Sequence, residues 1–125
     1  MNPVILKADL TLELAVGKFP AVLVGANYLN NPKALALYFV SDDGLGEPLA
    51  KASIYLEKIS DCLPPDEFIC KTYSENVGMD EWLLAAGIAS ETGDGVFIAR
   101  AHCPILKLAP ELFTILSEGR NVQAH

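Results

Sequence analysis

Cysteine is scarce in this chain, with Cys62, Cys70 and Cys103 its three thiols among 125 residues. The count is odd and no CxxC pair occurs, which excludes a disulfide framework and a thiolate zinc site as organising devices. Buried free thiols are the expectation. Histidine is scarcer, limited to His102 and His125, so no His/Cys spacing suited to a metal can be drawn. Long apolar runs are missing, and none approaches the roughly 18–20 residues that cross a bilayer. The start, Met1 to Asp9, has no basic stretch, and Lys7 and Asp9 interrupt its apolar residues. No signal peptide is expected, and a cytoplasmic protein follows. Positive charge is the last shortage: nine Lys and Arg face 16 Asp and Glu, a net charge of −7.

What is present is apolar and unevenly charged. Half of the residues are hydrophobic, which favours one folded domain with a single core over disorder. Residues 1–119 are assigned to that domain and 120–125 to a fraying tail. Between Asp61 and Asp94, eight carboxylates face a single base, Lys71, and this surplus of seven equals the net charge of the whole chain. With no basic patch to release counterions, direct contact with nucleic-acid phosphates is disfavoured. A basic protein surface is the better-matched partner, against the plainer reading of an acidic, solubilising face.

The stretch Ala34–Leu56 organises the fold. Two apolar runs, Ala34–Val40 and Leu49–Leu56, flank Ser41-Asp42-Asp43-Gly44-Leu45-Gly46-Glu47-Pro48, the pattern of a β-hairpin with a longer loop. In the second run Ala50, Ala52, Ile54 and Leu56 share the buried parity, and Lys51, Ser53 and Tyr55 the wet one. Upstream, Val4 to Val16 alternates cleanly as a half-buried strand. Gly17–Pro20 breaks it, and Ala21–Leu29 is a second strand in which Gly25 marks a bulge or a close approach. Asn30-Asn31-Pro32 is a turn.

Downstream, residues 58–67 read as a loop stopped by Pro64-Pro65, and Phe68–Tyr73 as a short strand. A helix follows, capped by Ser74 or Asn76 and ended by Gly87, with Met79, Trp82, Leu83 and Ala86 on its buried face. Ser90–Gly95 is a turn cluster, and Val96–Leu108 is one long strand in which Pro104 requires an edge position or a bulge. Pro110 opens a closing helix that Gly119 stops. The expected fold is therefore α+β: a mainly antiparallel sheet of five or six strands with two short helices.

No catalytic arrangement emerges. His102 adjoins Cys103, and successive strand residues point to opposite faces, so they do not form a nucleophile–base pair. Asp42-Asp43-Gly44 suggests a calcium loop but lacks the alternating oxygen ligands and the distant Glu of an EF-hand. Gly44 and Gly46 do not open a helix and form no phosphate cradle. Neither an enzyme nor a cofactor is expected. Trp82, the only tryptophan, is read as a core anchor unless it stands exposed beside Asp80 and Glu81, where it would mark an interface.

Several short stretches resemble a known group. Asn27-Tyr28, Asn30-Asn31, Ala34–Val40, Gly46-Glu47-Pro48, Pro64–Phe68, Tyr73–Asn76 and Leu84–Ile88 are similar to a family of small acidic uncharacterised proteins of bacteria, their phages and plasmids. The similarity covers about residues 21–108. That family has no catalytic residues to carry over. The resemblance implies an anti-defence role in a bacterial host, such as an anti-CRISPR or anti-restriction inhibitor acting as a DNA mimic. Asp42, Asp43, Glu47, Asp66, Glu67, Glu75, Asp80 and Glu81 are the candidate partner-binding residues. Their target would be a basic surface of a host protein or ribonucleoprotein such as a CRISPR effector, with no membrane contact. The alternative is a structural or accessory module, homodimeric through the strand near Pro104.

Overall fold

The computed structural model describes residues 3–28, 31–43 and 46–123. Asn30 of the expected turn and the Gly44-Leu45 centre of the long loop lie outside the described residues. The α+β class holds, but the strands form two four-stranded antiparallel sheets rather than one sheet of five or six. The first sheet is a meander of β1 (Val4–Leu14), β2 (Gly17–Tyr28), β3 (Asn31–Ser41) and β4 (Pro48–Lys51). Leu12 of β1, Leu23 of β2 and Leu37 and Phe39 of β3 point inward and are almost wholly buried.

The alternation of β1 is not clean. Its register against β2 slips between Ile5 and Lys7 and again between Lys7 and Leu10, and Asp9 takes a left-handed φ of 58°. This bulge turns Ala8 out to solvent, a cost in burial that a local increase in strand twist accompanies. Gly17–Pro20 does not break the sheet. Ala15-Val16 is a two-residue turn, and β2 restarts at once with Gly17 opposite Leu14 and Pro20 opposite Thr11. Gly25 is a close approach: a Cβ there would lie 2.8 Å from Leu6 Cδ1.

The second apolar run of the central hairpin changes sheets at Ala52. β4 pairs with β3 through Lys51 opposite Tyr38 and Ala50 opposite Phe39. Ala52 N–H then donates to Leu37 of β3 (2.9 Å), while Ala52 C=O accepts from Lys71 N–H (2.9 Å). Its two peptide groups thus serve different sheets. The continuation, β5 (Ser53–Ile54), belongs to the second sheet, which runs β5, β6 (Glu67–Cys70), β8 (Ala101–Leu108), β7 (Ala89–Ile98). This corner buries Ser53, which the parity argument left wet. Its Oγ accepts from Leu37 N–H (2.9 Å) and shares a 2.8 Å hydrogen bond with the Tyr28 hydroxyl.

The downstream region differs at four points. Residues 58–67 are not all loop, because α1 (Glu57–Ser60) occupies their start. Neither Ser74 nor Asn76 caps the next helix: they form a 3-10 turn (Ser74–Asn76), and α2 (Met79–Ala85) starts from Gly78 at φ 95°. Ser90–Gly95 is not a turn but part of β7, with a bulge between Glu91 and Gly95. The turn instead cuts the expected long strand at Ala99-Arg100, both with positive φ (52° and 67°). Two left-handed residues in a two-residue loop are what the twist of a hairpin demands, although Asn-Gly is the usual choice. Pro104 pairs opposite Gly95 at the bulge of β7, and β8 lies between β6 and β7, its ladder with β6 running over Ile105, Leu106 and Lys107.

The C-terminal end of α2 closes as read. Gly87, at φ 71°, donates to Leu84 O, and Ile88 N–H reaches back to Leu83 O at 3.0 Å, the paired bonds of a Schellman cap. By contrast α3 (Pro110–Gln123) continues through Gly119 and into the segment expected to fray. Gly119 serves packing rather than termination, since a Cβ there would meet Val4 Cγ1 at 2.8 Å. One core joins Leu23 and Phe39 of the first sheet, Phe68 and Leu106 of the second, Met79 and Leu83 of α2, and Leu112 and Leu116 of α3. A smaller cluster on the far face of the second sheet packs Ile69, Cys103 and Ile105 beneath Ile59 and Leu63.

Candidate functional site

Strand directions sort the candidate acids by end of the molecule. Asp42, Asp43 and Glu47 lie in the connection from β3 to β4, at the same end of the first sheet as the Ala15-Val16 turn. The segment after β6 comes to that end too: Ala15 N–H donates to Val77 O (3.0 Å). Glu75 lines a small cleft with Leu14, Val16 and Leu49. Asp80 and Glu81 follow in the first turn of α2, whose Trp82 donates from Nε1 to Thr11 O (3.1 Å). Six of the eight candidates therefore share one end. Asp66 and Glu67 do not. They precede and open β6 at the opposite end, where Lys107 Nζ stands 3.7 Å from Asp66 Oδ2 and opposite Glu67 in the ladder.

The shared end is strongly acidic. Glu13 adds a seventh carboxylate, paired with Lys18 at 3.9 Å, and Glu75 pairs with Lys71 at 3.0 Å. Among the described residues Asp42, Glu47, Asp80 and Glu81 make no ion pair. Asp43 accepts from Ser41 Oγ at 2.8 Å, and Ser41 Oγ in turn accepts from Glu47 N–H at 2.9 Å, which ties the β3–β4 connection together. The carboxyl of Glu75 is held below the usual carboxylate range, first by its own backbone amide and then by Lys71. Trp82 is a core anchor: its ring meets Phe39 edge-on at a centroid distance of 5.5 Å.

The structure also forms a valley that sequence reading did not find. Where the chain turns at Ala52, the outer face of β3 and the segment 71–75 border an open cleft of about 540 Å³ over β4. Its apolar surface comes from Ala36, Tyr38, Leu49 and Ala50, and Lys51, Lys71 and Glu75 stand along it. Tyr28 lies at one end, its hydroxyl bonded to Ser53 and its ring 5.0 Å from that of Tyr55. Burial raises the Tyr28 and Tyr38 hydroxyl pKa values above the phenol range, the bond to Ser53 partly opposing this at Tyr28. Two features carried a signal: Tyr38 shares a parity with Ala36 and opposes Leu37 and Phe39, and Lys51 sits on the wet parity of its run. The closure by 71–75 had none, because it depends on the change of sheet.

Behind this valley lies Asn76, fully buried. Its Nδ2 donates to the backbone carbonyls of Lys51 (2.5 Å) and Lys71 (3.1 Å), and its Oδ1 is buried without a hydrogen-bond partner. Both acceptors are carbonyls, so the amide orientation follows from chemistry.

Elsewhere the reactive side chains are separated. His102 is exposed, lies 5.4 Å from Phe97 by ring centroid, and covers Gly95. Cys103 faces the other way and is buried, 3.6 Å from Thr72 Oγ1. Cys70 is buried as well, and burial drives its thiol pKa far up, helped by the charge of Asp80. Cys62, expected inside with the others, is exposed after α1. Among the described residues no group of three or more His, Cys, Asp or Glu could hold a metal ion, and no helix is long and apolar enough to cross a membrane.

No family model matches the chain, and no curated protein or solved structure proves similar to it.

Proposed function

We propose that this protein is a non-catalytic binding protein that sets its acidic end against the basic, nucleic-acid-handling surface of another protein, as an inhibitor of a bacterial defence complex would. The observation that carries the reading is the gathering of Asp42, Asp43, Glu47, Glu75, Asp80 and Glu81 at one end, with Lys71 and Lys18 the bases paired there. Clustered carboxylates steer association with a positive partner and hold off nucleic acid. The acids span three segments, so a partner that touches all of them must be broad. Asp66 and Glu67 are left out of the contact, since they lie away from the other six, where Lys107 stands 3.7 Å from Asp66. A structural or accessory role without such a target is the second reading, as a homodimer through the strand near Pro104, which a single monomeric species in sedimentation at high concentration would overturn.

The test is capture from lysates of bacteria that carry defence systems, washed at low and at high salt. Wild-type protein should retain a nucleic-acid-handling complex at low salt and release it at high salt. The triple variant Asp42→Asn, Glu47→Gln, Glu81→Gln should fail to retain it, while Asp66→Asn with Glu67→Gln should behave as wild type. Equal loss in both variants, or retention in both, would sink the acidic-end reading.

A further inference from the structure

The valley over β4 differs in charge from the rest of the molecule. In a chain of net charge −7 it carries two lysines, Lys51 and Lys71, against one carboxylate, Glu75. Its volume of about 540 Å³ lies inside the range of about 300–1,000 Å³ over which proteins bind small molecules. Its floor is aliphatic and aromatic, with Ala36, Tyr38 and Leu49 among its lining residues. A neutral apolar ligand would leave both ammonium groups unused, and a cation would meet two like charges. A dianion would be opposed by Glu75.

A single buried side chain holds the two lysines together. Asn76 Nδ2 bonds both of their backbone carbonyls, so the two stems start within one side-chain length of each other. The Oδ1 atom is left buried and unpartnered to achieve this, a disadvantage that folded proteins seldom retain without a structural return. Lys71 is anchored further by Glu75 (3.0 Å) and by the Tyr73 ring, 5.3 Å from its Nζ. Lys51 is exposed and has no ion-pair partner among the described residues.

We infer that this valley binds a small amphipathic monoanion, an aromatic or medium-chain aliphatic carboxylate, with its body on Ala36, Tyr38 and Leu49 and its carboxylate at Lys51 and Lys71. Lys51 supplies the uncompensated charge, and Lys71 turns from Glu75 to share the ligand. Glu75 thus competes with the ligand. Asn76 is a positioning residue that fixes the spacing of the lysines and does not touch the ligand. The inference is independent of the acidic-end reading, because it concerns the isolated protein and a small molecule.

Naphthalene-2-carboxylate and naphthalene-2-carboxamide, equal in shape and different in charge, are the probes, with binding followed by calorimetry and by ligand-observed NMR. The acid should bind saturably and about tenfold or more tightly than the amide, as befits a charge-assisted hydrogen bond. Lys51→Gln should remove most of that preference. Ala36→Phe should exclude both probes by filling the floor. Glu75→Gln should tighten the acid, whereas the same change would weaken capture of a basic partner. Far-UV circular dichroism and an unchanged unfolding midpoint would show that the Lys51 and Ala36 variants fold. Equal affinity for acid and amide, absence of saturable binding at millimolar acid, or full binding by the folded Lys51→Gln or Ala36→Phe proteins would overturn the inference.

Discussion

Single residues at the corner carry more of this structure than their size suggests. Ser53 is a small polar residue in a run of apolar neighbours, yet its Oγ serves Leu37 N–H and the Tyr28 hydroxyl at once. Ser53→Ala would leave both groups without that partner in a buried place, and it should destabilise the fold by about 1–3 kcal/mol in urea unfolding. Tyr28→Phe removes the phenol and leaves Ser53 free to keep Leu37, so it should cost less than Ser53→Ala. Tyr55 provides a titration. Its hydroxyl donates to Asp61 Oδ1 (2.5 Å), to which Asn31 Nδ2 also donates (2.6 Å). The bond to Asp61 is the main reason its pKa is pushed up from 10.0 to about 12. A group whose folded pKa exceeds its unfolded value stabilises in full below the unfolded value, and that contribution vanishes as pH rises through the folded one. The stability difference between wild type and Tyr55→Phe should therefore be constant below pH 10 and fall away as pH rises to about 12. A difference that stays constant through pH 12 would mean that the bond to Asp61 is not what Tyr55 contributes.

At the scale of elements, the β7–β8 hairpin turns on residues that chain chemistry disfavours. Ala99 and Arg100 both carry side chains in a left-handed conformation, which costs of order 1–3 kcal/mol per residue unless the surroundings hold it. Replacing Ala99-Arg100 by Asn-Gly should raise stability by about 1 kcal/mol, seen as a higher urea midpoint with an unchanged slope. A loss of stability would show that Arg100 or Ala99 makes a contribution beyond the turn. The sequence of this hairpin has the pattern of one strand although it forms two. Val96–Leu108 has apolar residues on alternate positions across the turn, and no Gly, Asn or Asp marks the reversal. Conversely, Ser90–Gly95 is rich in the turn residues Ser, Gly and Asp and yet stays within a strand, its excess absorbed as a bulge where Thr92 Oγ1 donates to Ile105 O at 2.6 Å.

For the whole molecule, the two ends are electrostatically unlike. The end that holds Asp42, Glu47, Asp80 and Glu81 repels itself, while Asp66 at the other end has Lys107 beside it. Salt screens repulsion between exposed charges over a length of about 8–10 Å at physiological ionic strength. The unfolding midpoint should therefore rise as salt increases from near zero to about 0.15 M, and the rise should shrink in the Asp42→Asn, Glu47→Gln, Glu81→Gln variant. A midpoint that falls with salt in wild type would show that attractive pairs, such as Lys71 with Glu75, outweigh the crowding of acids. The valley over β4 belongs to this scale too, because its walls come from both sheets and exist only through their junction.

Much of the local structure was legible from the sequence: the α+β class, the antiparallel pairing, the buried face of α2, its Gly87 stop and the opposed faces of His102 and Cys103. These depend on period, on turn chemistry and on the alternation of strand side chains, which act over a few residues. The uneven charge was legible as well, though not its division into one crowded end and one compensated pair at Lys107. Tertiary structure alone decided that division, the two sheets and the valley. The sheets and the valley follow from Ala52, whose peptide groups bond to β3 on one side and to the segment after β6 on the other. An alanine carries no local mark of that role. A strand changes sheets where its neighbours leave donors and acceptors to be met, and that requirement exists only once the rest of the chain is in place.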